Sequence, residues 1–181
     1  MTDGPRPAVR VGVVQRPTAM QLLTFTIAGL PYAIESRRVI EVLPLVTGRP
    51  IPLVPDYVRG IFTYRGRLVP LVDLGRRLAQ ESGGGDRLST RVIVVEFAPP
   101  GSERPGPRSI RLGLVAENVV SICSAQEAAA STPELAMENA PFLGRIHRIG
   151  GQTVQQIVVE RLLPPDVLHG LYPDAAEAGP R

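Results

Sequence analysis

Proline and glycine occur at short intervals throughout this sequence, which favours short strands separated by turns over long helices. The 181 residues include 19 prolines and 18 glycines, and the apolar residues between them are mainly Val, Ile and Leu. Proline breaks helix interiors, and branched apolar side chains favour strands. We therefore expect about eight to ten short strands, a pattern that is typical of a barrel or of paired barrels.

The segment 57–78 has the clearest local pattern. Residues 57–64 predict a strand, Arg65-Gly66 predicts a turn, and residues 67–72 predict the partner strand. The next residue, Asp73, predicts the N-cap of a short helix, because its side chain can accept a hydrogen bond from an unpaired backbone N–H group.

Residues 22–34 predict a second hairpin, formed by strands at 22–27 and 31–34. After it, Ser36 predicts the start of a short helix that ends at Val42, because apolar residues recur there at helical spacing. Prolines beyond this segment predict an extended connection.

The second half of the sequence predicts four further strands and a closing helix. The strands are expected at 91–97, 110–116, 142–149 and 153–159, and the helix at 166–171. Loops or irregular segments are expected at 81–86, 98–108 and 126–141.

No motif in the sequence indicates catalysis or metal binding. His147 and His169 lie far apart, and neither has a Cys or carboxylate at ligand spacing, so we expect core or solvated histidines. Cys123 is the single cysteine and lies in an apolar run, which favours a small buried side chain. We therefore expect no catalytic residue, no metal and no cofactor, and an enzyme of an unrecognised kind is the alternative.

The charge pattern argues against a nucleic-acid partner. The net charge is +3, and the 20 basic residues, all of them Arg, are scattered along the chain. Barrels that bind single strands need a basic groove and stacking aromatic side chains, and only Phe62 and Tyr64 share strand parity here. A small-barrel nucleic-acid-binding module is therefore the alternative rather than the preferred function.

The sequence also predicts a cytoplasmic protein. No apolar segment approaches the roughly 18 residues that are needed to cross a bilayer. The first 20 residues contain charges and prolines without a compact apolar block, so they read as a flexible leader and not as a secretory signal.

Taken in order, these segments resemble the CheW family of chemotaxis adaptors. Residues 55–74, PDYVRGIFTYRGRLVPLVDL, resemble the family pattern of a glycine, apolar residues, Arg-Gly and a proline-bearing apolar run that ends in Asp-Leu. Further segments resemble the first hairpin and helix, the strand that leads into Val-x-x-Val, and the closing hairpin and helix: residues 32–34, 39–42, 112–122, 142–144 and 157–163. The resemblance implies a CheW-like domain at 21–165, followed by a C-terminal helix and tail at 166–181.

The resemblance implies an all-β fold of two intertwined five-stranded SH3-like barrels with short helices. It also implies a non-catalytic scaffold that joins the cytoplasmic tips of methyl-accepting chemoreceptors to the regulatory domain of a CheA-type histidine kinase. Such a scaffold works in receptor arrays at the inner membrane without inserting into it. Carried over by position, the receptor groove would include six residues: Val39, Glu41, Gly60, Arg65, Val119 and Ile122.

These residue types suit a groove that binds a helical hairpin. Val39, Val119 and Ile122 could supply apolar anchors. Glu41 and Arg65 could set register at the rim or pair with each other. The alternative is that the aliphatic residues belong to the core and that Arg65 braces a turn.

Departures from the family pattern bear on the partner. Glu117 and Glu160 stand where the family usually has aspartate. Thr63-Tyr64 stands where the family usually has Asn-Leu before Arg-Gly. Residues 41–44 and 162–165 look closer to adaptors of alternative chemosensory systems, including the Wsp type. A stand-alone adaptor that leaves its groove unused is a further alternative.

Overall fold

The computed structural model describes residues 20–79, 87–98, 109–127 and 140–173, which form ten strands and two short α-helices. The strands are β1 Met20–Ile27, β2 Leu30–Glu35, β3 Val39–Pro44, β4 Val58–Tyr64, β5 Arg67–Asp73, β6 Thr90–Phe97, β7 Ile110–Glu117, β8 Ile122–Glu127, β9 Leu143–Ile149 and β10 Gln152–Ile157. The helices are α1 Leu74–Ala79 and α2 Pro165–Leu171, and single 3-10 turns lie at Ser36–Arg38 and Val159–Arg161. The predicted all-β class is confirmed.

The five central strands form the first barrel, in the order β3-β6-β7-β5-β4. All neighbours are antiparallel except β5 and β7. The ring closes where Arg49, which follows β3, pairs with Ile61 of β4. The Arg49 N–H donates to the Ile61 carbonyl at 2.7 Å, and the Ile61 N–H donates back to Arg49 at 2.9 Å.

The remaining strands form the second barrel, a ring in which β1, β2, β10, β9 and β8 pair in turn and β8 pairs again with β1. The chain therefore begins in the second barrel, builds the whole first barrel and then returns. Strands β1 and β7 join the two rings through the pair Thr26 and Glu117. The prediction of two intertwined five-stranded barrels is confirmed.

Strand β6 explains how the barrels are held together, because its central residues Val92–Val95 are buried on both faces. Val92 and Val94 point into the first barrel, whereas Ile93 and Val95 belong to the apolar cluster that lies between the barrels. Successive strand residues face opposite sides, so the stretch that is covered on both sides, Val92–Val95, is apolar without interruption. This inter-barrel cluster also takes side chains from β1, β2, β7 and the closing segment.

Arg77 of α1 adds a specific contact across the two barrels. Its guanidinium carbon lies 4.3 Å from the ring centre of Phe142 and 5.2 Å from that of Tyr57. Its Nε donates a 2.9 Å hydrogen bond to the carbonyl of Leu162. A cation held between two rings and a carbonyl fixes α1 against the closing segment of the chain.

The helix predicted over Ser36–Val42 is wrong. Only Ser36–Arg38 forms one 3-10 turn, without a side-chain cap, and Val39–Pro44 is β3. The apolar side chains from Val39 onward pair with the buried strand β6, and this tertiary pairing outweighs the helical spacing of the sequence.

The other predicted elements are largely confirmed. Asp73 caps α1, since its Oδ1 accepts a 3.1 Å hydrogen bond from the Arg76 N–H group. The closing helix predicted at 166–171 is α2. The predicted leader apart from Met20, the loop at 81–86, most of the loops at 98–108 and 126–141, and the last eight residues lie outside the described residues. Within the described part of the chain, no helix has the length and apolar character needed to span a membrane.

Replacing Arg77 with Ala should destabilise the fold. We expect the free energy of unfolding to fall by about 2 kcal/mol, because the change removes both ring contacts and a charged hydrogen bond. Urea unfolding followed by circular dichroism measures this loss. Arg161→Ala, at an exposed position of the closing segment, is the control and should change stability by less than about 0.5 kcal/mol. Equal effects of the two substitutions would contradict the role of Arg77.

Candidate functional site

The charged residues of the predicted groove meet where β3 passes the β4–β5 hairpin. Arg65 Nη2 donates a 2.9 Å hydrogen bond to Glu41 Oε2. The hydroxyl of Tyr64, the last residue of β4, donates a 2.6 Å hydrogen bond to the same oxygen. The Arg65 guanidinium also lies 5.1 Å from the centre of the Tyr64 ring. Of the two predicted alternatives, Glu41 and Arg65 do pair with each other.

The local backbone explains why Arg65 projects from the surface. Arg65 and Gly66 both adopt the left-handed conformation, with φ of 47° and 75°. Two consecutive residues of this kind form the tight hairpin turn whose twist matches that of its flanking strands. The turn therefore holds Arg65 at the tip of a hairpin whose strands are both part of the first barrel.

The three side chains differ in their exposure. Tyr64 is 5% exposed, whereas the side chains of Glu41 and Arg65 are 40% and 66% exposed. The hydrogen bond from Tyr64 has the largest effect and lowers the pKa of the Glu41 carboxyl; desolvation opposes it, and the charge of Arg65 and its hydrogen bond lower the pKa further. Burial, followed by the bond to Glu41, raises the pKa of Tyr64. The surface thus carries the ionised pair of Glu41 and Arg65, and both side chains contact the buried Tyr64.

Gly60 lies where the first barrel closes. It is buried, its φ is +132°, and a Cβ placed on it would lie 2.2 Å from the carbonyl oxygen of Arg49. The register of β4 and β5 also shifts between Val58 and Gly60. Glycine is therefore required here for barrel closure, whatever contact it makes with a partner.

The apolar members of the predicted groove occupy two environments. Val39 and Val119 are half-buried and pack against the inter-barrel cluster. Ile122 begins β8, pairs with Leu23 of β1 and is 58% exposed. Val120, which sequence analysis did not single out, is also exposed. Val39 and Val119 are therefore partly covered by the inter-barrel cluster, whereas Ile122 faces solvent.

Tyr64 was not among the predicted groove residues, although sequence analysis considered it as a stacking aromatic and as a departure from the family pattern. The structure buries both Phe62 and Tyr64 inside the first barrel, so neither ring presents a face on which a base could stack. That departure, directly before Arg65, pointed to Tyr64, but its contact with Glu41, 23 residues away, has no local signal in the sequence.

The remaining candidate residues have structural environments. His147 is a core histidine, buried with its Nε2 3.0 Å from Gln156 Oε1, and His169 is exposed on α2. Cys123 is half-buried, so the expectation of a buried side chain is wrong. Cys123 pairs with Leu22 of β1, whereas β9 pairs with β8 at Gln126 and Glu127. Among the described residues, no three His, Cys, Asp or Glu side chains are grouped so that they could hold a metal ion.

Comparison with known proteins gives one consistent result. Residues 21–166 match the family model of the CheW-like domain. The chain is 27% identical over 131 residues to the chemotaxis protein CheW of Treponema pallidum (strain Nichols), which covers 70% of this chain and 71% of that protein. It is 28% identical over 145 residues to the chemotaxis protein CheW of Klebsiella aerogenes, covering 79% and 81%.

A solved structure has the same fold. The crystal structure of the scaffolding protein TtCheW from Thermoanaerobacter tengcongensis superposes with a TM-score of 0.66 and 22% identity. The superposition covers 85% of this chain and 94% of that one, so it includes both barrels.

The geometry at Gly60 predicts a large loss of stability in Gly60→Ala. The added Cβ would clash with the Arg49 carbonyl and adopt a φ that side chains avoid, so we expect a loss of about 3 kcal/mol or more. Gly29→Ala is the matched control, because Gly29 has a φ of 80° with no atom near its Cβ position; it should cost about 1 kcal/mol. Thermal and urea unfolding measure both, and similar losses would contradict the closure role of Gly60.

Proposed function

The chain belongs to the family of CheW-like domain proteins, and from this premise we propose that it couples methyl-accepting chemoreceptors to a CheA-type histidine kinase. The family predicted from the ordered segments of the sequence is thereby confirmed. The chain is a non-catalytic adaptor of the chemotaxis class, related to chemotaxis proteins and to a scaffolding protein of the same fold. The identity of its two partners is the part that is proposed.

The observation that carries the proposal is the exposed ion pair between Glu41 and Arg65. Exposed ion pairs contribute little to stability. Charged pairs at a binding surface instead set register and specificity. The turn that holds Arg65 and the strand that holds Glu41 belong to one closed barrel, which suits a recognition surface that must keep its shape.

Strand β3 supports a groove that combines charged and apolar contacts. Val39 and Glu41 lie two residues apart on this strand, so the charged rim adjoins the residue that packs toward the inter-barrel cluster. In the proposal, Val39, Val119 and Ile122 contact the apolar face of a receptor helical hairpin. Glu41 and Arg65 then contact its charged side chains.

The proposal places the chain in the cytoplasm, where the receptor tips lie, without insertion into the membrane. It also assigns the regulatory domain of the kinase as the second partner. Motility and alternative outputs such as Wsp-type surface sensing use the same kind of adaptor, so the proposed groove does not depend on which pathway the chain serves.

The proposal predicts that the Arg65→Glu variant binds the receptor much more weakly than the wild type. Reversal of this charge places two carboxylates together and removes the cation of the rim. Retention of the chain by an immobilised cytoplasmic receptor fragment should therefore fall at least about tenfold. The thermal midpoint should stay nearly unchanged, because the pair is exposed. Arg148→Glu, on an exposed position of β9, is the control and should bind as the wild type does.

A doubly reversed variant tests whether the charges contact the receptor themselves. Glu41→Arg combined with Arg65→Glu restores the ion pair with opposite polarity. Binding should stay lost if the receptor reads the sign of each charge. Full recovery in the double variant, or unchanged binding of Arg65→Glu, would show that these residues do not contact the receptor.

A further inference from the structure

Tyr64 combines a buried ring with a hydroxyl that reaches the surface. Its ring packs in the interior of the first barrel, in the cluster that contains Phe62 and Val69. Its hydroxyl ends 2.6 Å from the half-exposed carboxylate of Glu41. A tyrosine has only two side-chain torsions, so a ring locked in a core also fixes the position of its hydroxyl.

Two donors converge on one oxygen of Glu41. The Tyr64 hydroxyl and Arg65 Nη2 both donate to Oε2, at 2.6 Å and 2.9 Å. The same Tyr64 ring lies under the Arg65 guanidinium. Both members of the exposed pair are therefore in contact with one buried residue, 23 positions along the chain from Glu41 and adjacent to Arg65.

We propose that Tyr64 is a specificity-determining residue that positions Glu41 and Arg65 for the receptor. This inference rests on the proposed function. Ordinarily, two long charged side chains on a surface lose rotamer freedom when a partner orders them. Here the ordering is already present in the free protein, so a partner with charges at matching positions binds with a smaller entropic cost.

Preformed geometry also discriminates between partners. A mobile pair can adapt to receptors whose charges are spaced differently, whereas a fixed pair leaves a mismatched receptor charge unpaired. The lowered pKa of Glu41, to which the Tyr64 hydrogen bond contributes most, agrees with a carboxylate that is held as an anion by this residue. Thr63-Tyr64 stands where the family pattern has Asn-Leu, and leucine could not donate the hydrogen bond that Tyr64 gives to Glu41.

The test uses Tyr64→Phe, which keeps the ring and removes the hydroxyl. In the full chain, a carbon-detected NMR titration should show the pKa of Glu41 rising in this variant. Retention by the receptor fragment should fall about fivefold, since one hydrogen bond to a charged group is lost. The matched control is Tyr172→Phe, which also removes a hydroxyl hydrogen bond, to the carbonyl of Arg111, and should alter neither quantity.

A second background separates positioning from general destabilisation. In Glu41→Ala, the change Tyr64→Phe should cause no further loss of binding, because the side-chain oxygen that accepts the Tyr64 hydrogen bond is absent. Equal retention of Tyr64→Phe and the wild type, an unchanged pKa of Glu41, or an equal loss in both backgrounds would overturn the inference.

Failure of the proposed function would give a different result from failure of the specificity role of Tyr64. If the wild-type chain does not bind the receptor fragment, the proposed function is wrong and the specificity role falls with it. If the wild type binds and the Tyr64→Phe chain binds equally well, only the specificity role is wrong. The titration of Glu41 needs no receptor, so it reports on the contact with Tyr64 in either case.

Discussion

The burial of both faces of β6 is the constraint on which the rest of the structure depends. One face of β6 packs inside the first barrel, and the other face packs in the cluster between the barrels. The two barrels are therefore joined by a shared buried strand and not only by a linker. Strand β3 is then fixed by pairing with β6, and this pairing places Val39 and Glu41. The chain passes from the second barrel to the first and back, and β6 packs against both. Disruption of β6 would therefore disrupt both barrels.

The candidate site lies at the edge of the first barrel, on elements that strand pairing holds in place. Glu41 comes from β3 and Arg65 from the tip of the β4–β5 hairpin, and the closed ring holds both elements. Because the ion pair is exposed, it adds little to the free energy of folding, which leaves it available for recognition. Gly60 serves the same end indirectly, since its backbone lets the ring close against Arg49. The structural role of Gly60 and the proposed recognition role of Arg65 thus belong to neighbouring parts of one strand and its turn.

Local patterns predicted most of the strands and the Asp73 cap, because alternation, turn residues and caps depend on neighbours in sequence. The β3 segment could not be predicted in this way, since its pairing with β6 is a non-local contact that outweighs helical spacing. The link between Tyr64 and Glu41 was missed for the same reason. Placing the six groove residues required the family resemblance, and the half-buried state of Val39 and Val119 depends on packing between barrels that no local pattern records.

Titration of the isotopically labelled chain with a cytoplasmic receptor fragment, followed by NMR, tests most directly whether this surface receives a receptor. We expect the largest chemical-shift changes at Val39, Glu41, Arg65, Val119 and Ile122, with smaller changes on β9. Changes confined to β9 and β10, with the Glu41–Arg65 surface unaffected at saturation, would contradict the proposed groove.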